Sequence, residues 1–122
     1  MSSELPFRSA SRRDAAGQPF ASAADAWFWY MACRQATIDG ARIVAGRGLV
    51  ARPCEPADIH LATLKLLRSG RLRPHHLRII VSYGRMMIPP DPARASQASD
   101  CTLWREAMAE LTVALTAKGI VG

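Results

Sequence analysis

The chain is poor in several residue types, and each shortage excludes something. Three cysteines, Cys33, Cys54 and Cys101, are widely separated, odd in number and form no Cys-x-x-Cys pair. That argues against a disulfide framework and fits a reducing compartment. No apolar run approaches the ~18–20 residues that a spanning helix needs, so no membrane partner is expected. "SRRDAA" and the later "FASAAD" look superficially like a twin-arginine signal with its cleavage site. The stretch between them is too short and polar for the apolar core of a signal, ~7–15 residues. A cytoplasmic protein is therefore expected.

Lysine is nearly absent, with two lysines against fourteen arginines in a chain rich in alanine. A GC-rich genome produces that bias without selection, so the arginine count alone carries no function. Acid is absent in one place. Between Ile59 and Pro90 there are six basic residues and no Asp or Glu, while the remainder carries ten of each sign. The whole net charge of +6 thus comes from one quarter of the molecule, which also holds His60, His75 and His76.

What is present describes an ordinary globule. At 122 residues, 49% hydrophobic and 21% charged, the chain has the size and composition of one domain with its own core. A flexible tail over residues 1–20, rich in Ser, Arg and Ala, and a single helical domain over 21–122 are expected. The first helix opens at Ser22, an N-cap with Asp25 three residues later, and stops at Asp39-Gly40. Residues 40–55, with three glycines and a proline, read as a loop. The second helix has Pro56 at its first position and ends at Gly70, with Ile59, Ala62, Leu66 and Leu67 inward. Pro74 starts a third, "PHHLRIIVSYG", with Leu77, Ile80, Val81 and Tyr83 or Gly84 inward. Its β-branched run would suit a strand, but Pro74 and the spacing favour helix. After the proline-rich "MMIPPDPARAS", a last helix runs from about Ser99 to Lys118, with Trp104, Met108, Leu111 and Leu115 on one face. The fold class is all-α, a compact bundle of about four helices.

Four of the eight aromatic residues stand side by side in "AWFWYMACR". At about 100° per residue, four consecutive helical positions sweep roughly 300°. Trp27, Tyr30, Met31 and Arg34 share one side, Phe28 and Gln35 a second, Trp29 and Cys33 a third. A helix apolar nearly all round is central to a small bundle. The alternative is that Trp29 anchors an interface, such as a homodimer.

Chemistry-bearing motifs are few. His75 and His76 diverge on a helix, Cys54 and His60 straddle a helix start, and no zinc spacing appears. No nucleophile elbow or phosphate loop is present, since "AGRGL" lacks the lysine and the following helix. Neither an enzyme nor a cofactor is expected. The basic segment points instead to phosphate. Arg68, Arg71 and Arg73 cluster around the turn between the second and third helices, with Lys65 one turn earlier. Arg78 and Arg85, seven apart, lie on nearly the same side of the third helix, and His75 and His76 could add hydrogen bonds at its start. Arginine forks bind phosphate oxygens in pairs. The expectation is a small nucleic-acid-binding protein, for DNA or RNA, with docking on an acidic protein partner as the alternative. A standard helix-turn-helix does not fit, because Ser69, Arg71 and His76 fall where apolar residues normally pack, although Leu72 could plug the turn.

From "AWFWYMACR" through "RPCEPADI", "GRLRPHHLRIIVSYGR", "PPDP", "LWREAM" and "KGIVG", about residues 20–122, the chain resembles a family of small uncharacterised alphaproteobacterial proteins. That resemblance implies no activity, ligand or site. "HLRIIVSYG" is also faintly similar to helical DNA-binding parts of transcription regulators.

Overall fold

A computed structural model describes residues 17–38 and 53–122. The arginine pair of "SRRDAA", nearly all of the expected tail and most of the 40–55 loop lie outside the described residues. Among the described residues there are four α-helices: α1 (Ala23–Ile38), α2 (Pro56–Arg68), α3 (Pro74–Met86) and α4 (Ala98–Ala117), the last preceded by a 3₁₀ turn, Ala95–Gln97. Among the described residues there is no strand beyond a single parallel bridge between Phe20 and Val121. The chain is an all-α bundle.

The helices start and stop for local reasons. The Asp25 amide donates to Ser22 Oγ at 3.1 Å, and the Glu55 amide donates to Asp58 Oδ2 at 2.8 Å. These bonds satisfy backbone donors that the first helical turn leaves orphaned. Three helices end alike. After α2 the amide of Arg71 donates to Leu66 O and that of Gly70 to Leu67 O; after α4, Ile120 donates to Leu115 O and Gly119 to Thr116 O. Both are Schellman ends with glycine in the left-handed conformation, φ 82° at Gly70 and 76° at Gly119. The end of α3 repeats the pattern, Ile88 to Tyr83 O and Met87 to Gly84 O, with Met87 at φ 60° in the glycine position.

The core is built around α1 and α4. Helix α1 packs on α2, α3 and α4, and α4 packs on the other three, whereas the consecutive helices α2 and α3 make little direct contact. Trp27, Ile59, Leu72, Ile80, Leu111 and Leu115 are the largest side chains at its centre. All four aromatics of the run are packed. Trp27 and Tyr30 are buried, Phe28 stacks 5.6 Å from Trp104, and Trp29 lies 5.4 Å from Phe20. Trp29, the candidate interface residue, is therefore half-buried beside Phe20.

Two details depart from the sequence reading. Phe20, the last residue of the expected tail, is only 3% exposed; its amide donates to Ile120 O at 2.8 Å and its carbonyl accepts from the Gly122 amide at 3.0 Å. An aromatic ring left in water would forfeit that burial, so the folded body begins before Ala21. On α3 the buried residues are His76, Ile80, Tyr83 and Gly84, while Leu77 and Val81 are only half-buried. The inner face thus includes His76, whose Nε2 lies 2.8 Å from Glu106 Oε1 on α4.

Candidate nucleic-acid interface

Helix α2, the loop 69–73 and α3 carry all seven predicted contact residues. Lys65 and Arg68 occupy the last turn of α2, and Arg85 the last turn of α3. Lys65, Arg68, Arg71, Arg73, His75, Arg78 and Arg85 are all exposed. Leu72, 1% exposed, anchors the loop in the core and leaves Arg71 and Arg73 outside on either side of it. Arg68, Arg71, Arg73, His75 and Arg78 therefore crowd one end of the bundle. Arg85 lies about 10 Å further along the α3 axis, at 1.5 Å per residue.

These cations have few partners among the described residues. Among the described residues, the only ion pair made by the seven is Arg71 Nη1 to Glu110 Oε1 at 3.6 Å, with the Arg71 side chain 67% exposed. At that exposure the pair adds little. The surface is thus electrostatically unspent.

His76 is different. Its Nδ1 accepts the Arg73 amide at 3.1 Å, which places the ring proton on Nε2, 2.8 Å from Glu106 Oε1. Both nitrogens are used, one to cap α3 and one to tie α3 to α4. Of the two adjacent histidines, only His75 is open to a ligand. The helix–loop–helix also differs from a repressor module in that its two helices pack on α1 and α4 rather than on one another.

No family model, curated protein or solved structure matches the chain. What the surface can bind is therefore argued from its own geometry.

Because α2 and α3 stand apart, a groove of about 220 Å³ opens between them over α1. Trp27 and Met31 lie along it from α1, Leu67 from α2, and Leu77 and Val81 from α3. Arg34 and Arg85 line it too, and among the described residues no acidic one does. On its α2 side, Tyr30 Oη is 2.8 Å from His60 Nδ1. Arg34 lies outside the basic segment and the charge count overlooks it. Its signal was its position, on the same side of α1 as Trp27, Tyr30 and Met31.

The thiols are quiet. Burial, reinforced by the nearby charges of Asp58 and Glu55, pushes Cys54 up to about 11, and burial also raises Cys33. Neither is a ready thiolate at neutral pH. Among the described residues, no group of three or more His, Cys, Asp or Glu side chains is placed to hold a metal ion. No described helix is long and apolar enough to cross a membrane.

Proposed function

We propose that the protein binds nucleic acid through phosphate contacts made by Lys65, Arg68, Arg71, Arg73, His75, Arg78 and Arg85. One observation carries this reading. Six cations of an acid-free segment are exposed, and among the described residues only Arg71 has a carboxylate within reach. A surface with so little counter-charge among the described residues holds solvent ions, and exchanging them for a polyanion is favoured by counterion release. The similarity of "HLRIIVSYG" to DNA-binding helices is consistent with a regulatory role, since this stretch lies in α3 and its Arg78 faces solvent.

The test is binding of labelled duplex DNA, single-stranded DNA and RNA across a salt series. The logarithm of the affinity should fall linearly with log salt, by about 0.9 per phosphate contacted on duplex DNA. The Arg73→Glu, Arg78→Glu variant should lose binding and keep its helical content. These two sites are preferable to Arg71, where a glutamate would face Glu110. Absence of binding to all three ligands at low salt would refute the proposal.

A second reading, docking on an acidic protein, draws on apolar surface beside the cations. Met86, Met87 and Ile88 are 58%, 50% and 55% exposed next to Arg85. Recovery of an acidic partner that survives nuclease treatment, with no affinity for free nucleic acid, would favour it.

A further inference from the structure

The groove over α1 needs an explanation that the phosphate surface does not supply. Bundles normally fill such a space with side chains, because an unfilled apolar gap forfeits dispersion contacts. Here α2 and α3 are held apart across α1, and among the described residues the half-buried Leu67, Leu77 and Val81 flank the gap without closing it. An apolar cleft of about 150 Å³ already takes benzene, so 220 Å³ suits a body of roughly nine or ten non-hydrogen atoms. A docked helix needs far more surface than that.

The charge on the groove is one-sided. Arg34 from α1 and Arg85 from α3 line it, both are exposed, and neither forms an ion pair among the described residues. The two arginines come from different helices and line one cleft, which among the described residues no carboxylate lines. Complementary chemistry is an apolar tail ending in a single small anion that a guanidinium fork can grip.

We infer that this groove is a binding site for a small amphipathic monocarboxylate, its aliphatic tail on Met31, Leu67, Leu77 and Val81 and its carboxylate held by Arg34 and Arg85. Trp27 is the rigid floor of the site. Its indole nitrogen donates to the Ile80 carbonyl at 2.7 Å, which fixes the ring against α3. A carboxylate suits the small volume better than a bulky phosphate ester. The site does not require that the basic surface bind nucleic acid.

The experiment is calorimetric titration of the full chain with octanoate, which has ten non-hydrogen atoms and stays monomeric at working concentrations. One saturable site is expected, with octan-1-ol binding at least tenfold more weakly. The Arg34→Gln, Arg85→Gln variant should lose about tenfold or more in affinity, the worth of a charge-assisted hydrogen bond. Both positions are exposed, so the variant should melt like the parent. Val81→Trp, which fills the groove from α3, should abolish binding of acid and alcohol alike. No saturable binding at several millimolar would overturn the inference, as would equal affinity of the double arginine variant or of the alcohol. Because no nucleic acid is present, a negative result leaves the phosphate surface untouched, and failure of DNA or RNA binding leaves this site untouched.

Discussion

His76 Nε2 sits 2.8 Å from Glu106 Oε1 while Nδ1 of the same ring accepts the Arg73 amide, so one histidine of the basic segment joins α3 to α4. It is 8% exposed. The adjacent His75 is open to solvent, with its ring centroid 4.6 Å from that of His76. Two neighbouring residues of one type thus divide between structure and surface.

That division is measurable. His76→Ala should cost about 2 kcal/mol in urea unfolding, since it leaves the Arg73 amide and the Glu106 carboxylate without their partner. His75→Ala should stay within about 0.5 kcal/mol of the parent, as exposed substitutions do. Equal losses at both sites would mean that His76 is not the link between the helices.

Glycines 84 and 70 are predicted to differ in kind. A Cβ at Gly84 would stand 2.7 Å from Met31 Cγ and 2.9 Å from Trp27 Nε1, whereas one at Gly70 would meet nothing within 4 Å. Gly84→Ala should destabilise by about 1–2 kcal/mol, the overpacking cost less the helix propensity gained. It should couple to Met31→Ala in a double-mutant cycle. Gly70→Ala should lose about 1 kcal/mol through its left-handed backbone alone and show no such coupling. Met87, left-handed at φ 60°, should respond in the opposite direction, with Met87→Gly gaining about 0.5–1 kcal/mol in a thermal melt.

Alkaline stability should carry the mark of Tyr83. Its hydroxyl donates to Asp100 Oδ2 at 2.7 Å, and that hydrogen bond, with burial adding to it, pushes the phenol up to about 12. An unfolded tyrosine ionises near 10. The folded value is the higher, so the stabilising contribution is complete below about pH 10 and disappears as pH rises through about 12. The stability difference between the parent and Tyr83→Phe should therefore be constant from pH 7 to about 10 and shrink above it. A difference that grows with pH would contradict the assignment.

Arg85 belongs to both the phosphate surface and the groove. If both proposals hold, Arg78→Ala, Arg85→Ala should reduce the salt slope on duplex DNA by about 1.8, two phosphates at 0.9 each. Saturating octanoate should then reduce the slope of the parent by about 0.9, through Arg85, and leave that of the double variant unchanged. Fluorescence anisotropy at four or five salt concentrations would show both effects.

Much of the molecule follows from local sequence rules. Pro56 and Pro74 open α2 and α3, Gly70 and Gly119 close α2 and α4, and the spacing of Trp104, Met108, Leu111 and Leu115 marks the inner face of α4, on which Met108 is only half-buried. These features were legible because backbone sterics and helical periodicity act over a few residues. The same holds for the acid-free run, whose exposed cations are a property of composition and helix ends.

Only the tertiary structure decided which apolar residues would finish in the core. It turned α3 so that His76 faces Glu106 and half-buried Leu77 and Val81 border a groove, and it brought Phe20 to the end of α4. It also brought Arg34 to the same groove as Arg85, 51 positions later in the chain. Each outcome depends on a contact between segments far apart in sequence. Periodicity says which residues share a helix face, and the neighbouring helix decides whether that face is core, cleft or solvent.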